Sequence, residues 1–207
     1  MGVVVPGTRV AIQGTRLNST GPLLITHWGM SGPAILKLSA FGARYLSEAN
    51  YDFKVQVNWI GEVNYDQVLA KLQTVVEANR KKLITNYRPF GLPEKHWLFI
   101  VEKAALKPAA RWGEIGKKGL NKLVNLLTND IYAVSGKTTF KEEFVTCGGV
   151  SLDSVDLSTM QSRVCNNLYF AGEVLDIDAI TGGYNFQAAW TTGRIAGESM
   201  GRQIVER

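Results

Sequence analysis

Residues 167–189 read NLYFAGEVLDIDAITGGYNFQAA, a short apolar run followed by a loop and a helical pattern. The apolar residues 168–171 predict a strand that ends at Gly172-Glu173. After the loop, Gly182-Gly183 precede a helix that is predicted over residues 184–197 and is rich in small side chains. A strand, a loop and a glycine-led helix in this order are typical of the ligand-binding edge of an α/β sheet.

The glycine pair is the part of this stretch that points to chemistry. Glycine lets backbone amides approach a ligand, and a helix N-terminus adds unpaired N–H groups and about half a positive charge. This end therefore suits an anion or the electron-rich edge of a reduced flavin. Glu173 suits a hydrogen bond to a sugar or ribityl hydroxyl. A plainer interpretation also fits, with Gly182-Gly183 as an ordinary turn and Glu173 as a helix-capping surface acid.

Upstream of this stretch, strand and helix patterns alternate. Turn chemistry at Asn18–Pro22 predicts a hairpin, and Ser31-Gly32-Pro33 predicts the start of a helix. Three helical patterns between residues 65 and 128, the first over 65–82, predict a helical cluster. The other predicted strands cover residues 8–15, 23–26, 53–57, 131–134 and 144–147.

Composition restricts the class of protein. The chain has 207 residues, of which 45% are hydrophobic, which is enough to bury a core. Its net charge is +5, and the short basic runs Arg80–Lys82 and Lys117-Lys118 are interpreted as solvated helix faces. Nucleic-acid binding favours a dense basic stripe interleaved with aromatic residues. We therefore predict no nucleic-acid partner.

The cysteines and histidines argue against a disulfide framework and a metal site. Cys147 and Cys165 lack CxxC spacing, and His27 and His96 are the only histidines in the sequence. Apolar runs are too short for a membrane helix, and residues 1–7 lack the features of a signal peptide. We therefore predict a cytoplasmic protein without a metal or a membrane partner.

Six other side chains are of types that could contribute to function. His27 is either a residue that faces substrate or flavin, or one that stabilises its turn. Ser31, in the same turn, could also face substrate or flavin. Because no GxSxG motif surrounds it, Ser31 is interpreted as a helix cap rather than a nucleophile. Cys147 could be a redox thiol, yet a buried structural cysteine is favoured. Asp176, together with Asp178, is interpreted as screening a helix N-terminus. His96 is interpreted as structural.

Several strings resemble, in the expected order, the BaiN-like NAD(P)/FAD-dependent oxidoreductases, a bacterial flavoprotein family. The C-terminal strings are NLYFAGEVLDID (167–178) and TGGYNFQAA (181–189). The others are THWGMSGPA (26–34), VTCGGV (145–150) and STMQS (158–162). Together they extend over nearly the whole chain, so a chance match is improbable.

The resemblance implies an α+β or α/β fold in two parts. Residues 1–140 would be an inserted β and helical domain. Residues 141–207 would supply the last strand and helix of an incomplete, Rossmann-like FAD-binding domain. Glu173 would face the ribityl or pyrophosphate region of FAD. Gly172 and Gly182 would also belong to the cofactor-binding site. Amides near Gly183, Tyr184 and Asn185 would lie under flavin O2. NAD(P)H and a small organic substrate would be the partners.

The sequence departs from the family pattern in lacking GxGxxG, the segment that holds the pyrophosphate of a dinucleotide. We therefore expect a truncated oxidoreductase with little activity by itself. The alternative is a non-catalytic domain that contributes substrate contacts or a protein interface. With most of the FAD domain's sheet absent, self-association through the exposed surface is also expected.

Overall fold

The computed structural model describes residues 2–62, 64–137 and 145–205, with side chains through Arg202. Backbone contacts divide the chain into two compact units. Unit 1 comprises Met1–Ser39 and Glu48–Gly136, and unit 2 comprises Ala40–Ser47 and Lys137–Arg207. The predicted domain boundary between residues 140 and 141 lies outside the described residues and stays a prediction.

Unit 1 contains a five-stranded sheet in which all neighbouring strands are antiparallel. Side chains alternate between the core and solvent, so Val10 and Ile12 are buried on one face. The spatial order is β3-β2-β1-β4-β5. The strands are β1 (Val3–Ile12), β2 (Asn18–Ile25), β3 (Met30–Ser31), β4 (Asp52–Asn58) and β5 (Asp130–Ser135). Four of these strands confirm predicted ones; β3 is an addition.

The β1–β2 hairpin is confirmed, but its turn lies at residues 13–17 rather than at Asn18–Pro22. In this turn the Thr15 hydroxyl donates to the carbonyl of Ile12 at 2.9 Å. Pro22 instead lies within β2, opposite a point where the pairing register of β1 shifts. A proline costs no ladder hydrogen bond at such an irregularity, which explains why the turn prediction was wrong.

Four helices begin in unit 1, and the helical cluster over residues 65–128 is confirmed. Asn64 caps the second helix by accepting from the N–H of Gln67. This helix ends four residues before the predicted end, because Asn79 caps it through two hydrogen bonds to the carbonyl of Val75. The helices are α1 (Pro33–Glu48), α2 (Tyr65–Ala78), α3 (Glu94–Lys103) and α4 (Gly116–Thr128).

Three tryptophans form the centre of the core of unit 1. Trp59, Trp97 and Trp112 are fully buried. The rings of Trp97 and Trp112 are stacked with centroids 5.8 Å apart, and Trp97 Nε1 donates to the carbonyl of Ile84 at 2.7 Å. Leu123 on α4 is also fully buried, as the helical spacing predicts.

A buried carboxylate links the sheet to helix α3 within unit 1. Asp130 is 2% exposed and accepts from Trp59 Nε1 at 3.0 Å and from the Tyr132 hydroxyl at 2.5 Å. Its other oxygen accepts from Lys103 Nζ at 2.6 Å. Burial and the Asp130 carboxylate raise the pKa of Tyr132, so the phenol stays protonated.

His96 lies beside this network, with its ring centroid 4.1 Å from that of Trp59. The residue is 2% exposed, and neither ring nitrogen has a hydrogen-bond partner among the described residues. Burial lowers its pKa to about 4, although the charge of Asp130 opposes the shift. The imidazole is therefore neutral at physiological pH, as expected of a structural histidine.

Unit 2 has a smaller core than unit 1. Its cluster of buried side chains consists of Val155, Met160, Leu175 and Ala196. Its regular elements are the two-stranded ribbon β6 (Val155–Asp156) and β7 (Gln161–Ser162) and the helix α5 (Tyr184–Val205). The C-terminal helix is thus confirmed, and it continues beyond its predicted end.

Two strands predicted for unit 2 are not formed. Residues 145–147 have no strand pairing, and Phe144, the first residue of that predicted strand, lies outside the described residues. Residues 168–171 make only an isolated bridge, between Tyr169 and Gln161. The segment lies beside β7, because the Ser162 N–H donates to the carbonyl of Leu168 at 2.7 Å and the Phe170 N–H donates to that of Met160 at 3.0 Å. Since β7 is only two residues long, the pairing does not extend into a ladder.

Within the described residues no helix is both long enough and apolar enough to cross a membrane.

Candidate functional site

The candidate site is the loop between Gly172 and the start of helix α5. Gly172 has a φ of +77° and begins a short 3₁₀ turn that ends at Val174. The N–H of Gly172 donates to the hydroxyl of Thr192 at 3.0 Å. Because Thr192 lies on α5, this hydrogen bond attaches the first end of the loop to the helix that begins at its other end.

Asn185 holds the middle of the loop. Its Oδ1 accepts from the N–H of Ala179, and its Nδ2 donates to the carbonyl of the same residue, both at 2.9 Å. The pair of bonds imitates a strand pairing and leaves the backbone N–H of Asn185 in the first turn of the helix. The side chain is therefore structural, and only its backbone amide is free to face a ligand.

The glycine pair opens this helix end to solvent. Gly182 and Gly183 have φ angles of +134° and +89°, which favour glycine. A Cβ at Gly183 would meet no atom within 4 Å, so no packing requires a glycine there. Backbone conformation and open access are the two properties that the pair provides. Tyr184, the first residue of α5, is 60% exposed.

Glu173 is exposed on the same loop. None of the ion pairs between described residues includes it. Its carboxylate is thus accessible as a hydrogen-bond acceptor. The six residues predicted to bind the cofactor all lie in unit 2: Gly172, Glu173, Gly182, Gly183, Tyr184 and Asn185. Gly172 bonds to α5 at Thr192, about two turns beyond the glycine pair that precedes the helix.

One glycine of the VTCGGV string packs closely against the backbone of the loop. A Cβ on Gly149 would lie 2.6 Å from the carbonyl oxygen of Val174 and 2.6 Å from the backbone carbon of Leu175. This close approach allows the N–H of Val150 to donate to the carbonyl of Val174 at 2.8 Å. No local pattern in the VTCGGV string indicates that Gly149 packs against this loop.

Cys147 is exposed, so the expectation of a buried structural cysteine was wrong. A hydrogen bond with Asp178 raises the pKa of its thiol, and Arg44 partly opposes that shift. A raised pKa lowers the thiolate fraction, which argues against a reactive redox thiol. Arg44 also forms an ion pair with Asp176 at 2.6 Å within unit 2. No sequence signal linked Arg44 to the loop.

His27 and Ser31 belong to unit 1. His27 is exposed in the turn between β2 and β3, where the Thr26 N–H and hydroxyl both bond to the carbonyl of Gly29. Ser31 lies in β3, and the first N–H groups of α1 donate to the carbonyl of Gly32 instead. The interpretation of Ser31 as the helix cap was therefore wrong, because a strand pairing takes that residue.

The described residues contain no group of three or more His, Cys, Asp or Glu side chains arranged to hold a metal ion.

Comparison with known proteins agrees with this architecture. Residues 1–145 match the family model described as the HI0933-like protein barrel and H2TH domain. The chain belongs to the HI0933-like family.

Three curated relatives of this family member are similar over most of the chain. The ribosomal RNA dihydrouridine synthase of Escherichia coli is 31% identical over 92% of the chain and 44% of its own length. The enzyme of the same name from Haemophilus influenzae is 28% identical over 98% of the chain and 47% of its length. The 3-dehydro-bile acid delta(4,6)-reductase of Clostridium scindens is 28% identical over 87% of the chain and 44% of its own length. The chain thus spans less than half the length of these relatives.

Proposed function

We propose that this chain forms part of an FAD-dependent oxidoreductase that saturates carbon–carbon double bonds, with NAD(P)H as the electron source. Both kinds of relative support the reaction class, because "dihydrouridine synthase" and "delta(4,6)-reductase" each describe the saturation of a double bond. FAD, when bound, would supply the two-electron chemistry. The residues of this chain would bind and orient it.

The observation that carries the proposal is the open, glycine-led N-terminus of α5. The 22-residue helix directs its first N–H groups and its positive dipole end toward the surface at Gly183. Such an end stabilises negative charge at the pyrimidine edge of a flavin. Two bonds from Asn185 to Ala179 fix the loop before a ligand arrives, which lowers the entropic cost of binding.

The neighbouring residues fit the same group. Glu173 presents an accessible carboxylate that would accept hydrogen bonds from ribityl hydroxyls. Gly172 at positive φ turns the chain without a side chain at that point. No GxGxxG occurs in the sequence to hold the pyrophosphate, so in this proposal the chain grips the ring end of FAD and has little activity by itself. The same proposal includes the expectation that unit 2 supplies the end of a Rossmann-like FAD-binding domain.

A flavin titration tests the proposal on the chain itself. FAD and riboflavin should bind with affinities within about threefold of each other, and ADP should neither bind nor compete, because the pyrophosphate segment is missing. Gly183→Ala should weaken riboflavin binding roughly tenfold: alanine at positive φ costs about 1–2 kcal/mol, so the free loop would leave this conformation and binding would have to restore it. Gly193→Ala is the matched control, because a Cβ at Gly193 in the same helix also meets no atom within 4 Å. Flavin fluorescence reports binding.

Two outcomes would count against the proposal. If ADP displaces FAD, the chain holds the nucleotide end rather than the ring. If no flavin binds at any accessible concentration, the non-catalytic substrate-region or interaction domain becomes the better interpretation of this chain.

A further inference from the structure

Positive charge is concentrated in the helical part of unit 1. Residues 65–128 contain 12 Lys and Arg against five Asp and Glu, a net charge of +7. The whole chain carries +5, so the remaining residues together carry −2. Because the rest of the chain is slightly acidic, the positive charge of this segment indicates an anionic binding partner for it rather than a general contribution to solubility.

The fold brings two basic segments side by side. The N–H of Trp112 donates to the carbonyl of Lys82 at 3.0 Å, and the N–H of Gly113 donates to the carbonyl of Arg80 at 3.1 Å. The run Arg80–Lys82 therefore lies against the segment that begins with Arg111. Helix α4, with Lys117 and Lys118, begins directly after that segment. These six exposed cations, from the two paired segments and the helix start that follows them, are called the basic face: Arg80, Lys81, Lys82, Arg111, Lys117 and Lys118.

The start of helix α4 breaks an electrostatic rule. Helix N-termini favour acids, because the unpaired N–H groups carry partial positive charge. The first turn of α4 has no acid and carries Lys117 and Lys118 instead. Placing two cations at the positive end of a helix is unfavourable unless an anion binds there. Departures from a local rule of this kind are expected at functional sites.

The cations of the basic face are not neutralised within the described chain. The ion pairs between described residues include none of the six. The nearby carboxylate of Glu114 accepts from the backbone N–H of Arg111 at 2.9 Å. Tyr87, which is exposed, lies beside the face with its ring centroid 6.0 Å from Lys82 Nζ. A stacking ring among cations is the combination that nucleic-acid surfaces use.

We propose that the basic face binds the phosphate backbone of RNA; the inference rests on the proposed function above in taking that RNA as the substrate of the reductase. The lysines at α4 would bind one phosphate together with the helix end, and Arg80–Lys82 and Arg111 would bind its neighbours. Tyr87 would stack on an unpaired base. This proposal opposes the sequence-based prediction of no nucleic-acid partner, which treated the two basic runs as separate solvated faces.

Fluorescence anisotropy of a labelled RNA stem-loop, in the absence of flavin and over a series of salt concentrations, tests the proposal. Lys117→Gln/Lys118→Gln should weaken binding roughly tenfold and reduce the slope of log Kd against log salt by about 1.5–2. Arg16→Gln/Lys54→Gln removes the same charge from exposed positions of the sheet region in unit 1 and should change Kd by less than about threefold. Lys81→Gln/Lys82→Gln tests the second segment if the α4 variant misfolds, as judged by circular dichroism.

The proposal is overturned if the Arg16/Lys54 control weakens binding as much as the α4 pair, since general charge would then suffice. It is also overturned if the wild-type chain binds no RNA at low salt. Binding to phosphatidylserine vesicles through the same lysines, without RNA binding, would assign the face to a membrane instead. Because the RNA measurement contains no flavin and the flavin titration contains no RNA, failure of one leaves the other interpretable.

Discussion

In unit 1 three tryptophans are fully buried and the carboxylate beside them has three hydrogen-bond donors, whereas in unit 2 the tryptophan of helix α5, Trp190, is 70% exposed. Phe186, 65% exposed, stacks on it one turn away. Unit 1 fills its core with its own side chains. Unit 2 has a four-residue buried cluster, and its loop is flanked by glycines at positive φ. The self-association expected from the sequence stays a prediction, and the exposed rings of α5 are a surface through which it could occur.

The difference indicates where each unit is vulnerable. Unit 1 should be sensitive to the loss of buried side chains and of buried polar partners. Unit 2 should be sensitive at Gly149, where a Cβ cannot be accommodated against the loop. Three substitutions test this contrast.

The largest expected effect is at the centre of unit 1. Asp130→Ala would leave Lys103 without its partner and the indole N–H of Trp59 without an acceptor. Breaking a buried ion pair in this way costs about 3–5 kcal/mol. Urea denaturation followed by tryptophan fluorescence would measure the loss. As control, Glu62→Ala removes the exposed pair with Lys71 and should cost less than about 1 kcal/mol. Equal effects of the two variants would show that the Asp130 network is not what stabilises unit 1.

A smaller effect is expected from Gly149→Ala in unit 2. The added methyl would lie 2.6 Å from backbone atoms of Val174 and Leu175, so the loop must move, at a cost of about 1–3 kcal/mol. Gly148→Ala is the control: its φ of +104° causes strain, but no atom lies within 4 Å of the new carbon. Hydrogen exchange at the amide of Val150, which bonds to Val174, should accelerate more in the first variant. The same acceleration in both variants would mean that backbone strain, and not the close contact at Gly149, accounts for the destabilisation of the loop.

The smallest effect is a pH dependence of unit 1. The pKa of His96 is about 4 in the folded protein, below the value of about 6.5 expected when unfolded. The unfolded chain therefore binds the extra proton first, and stability falls as the pH decreases from about 6.5 toward about 4. Between about pH 7 and about pH 5 the loss should be about 1–2 kcal/mol. His96→Phe should flatten the profile, and His27→Gln, at an exposed histidine, should not. A wild-type slope that persists in His96→Phe would assign it to other groups.

Much of the fold could be predicted from local patterns. Alternation in β4 and the apolar spacing of α4 identified both elements, because burial on one face imposes a period on the sequence. The glycine pair at Gly182 and the helix after it were also recognisable. The predictions that were wrong depended on partners distant in sequence. Residues 168–171 have the composition of a strand but meet only the two-residue strand β7, and Pro22 has turn chemistry but lies at a register shift.

The candidate site divides in the same way. Gly172 and Gly183 could be recognised as candidate site residues from the sequence, since only glycine gives this backbone freedom. Glu173 could be recognised as an acid that follows an apolar run. The attachment of the loop by Thr192 was not, because a hydroxyl in a helix of small residues carries no signal of the distant N–H that donates to it. The exposure of Cys147 was also missed, since burial depends on what surrounds a residue and not on its type.

By itself the sequence determined most elements of unit 1, including the helical cluster over residues 65–128, and the glycine-led start of α5, because these follow from periodicity and from the conformational freedom of glycine. The tertiary structure decided which residues meet. It brought Arg80–Lys82 against Arg111, surrounded Asp130 with three donors and placed Gly149 beneath the loop. Contacts of this kind join residues up to tens of positions apart, so no local pattern records them.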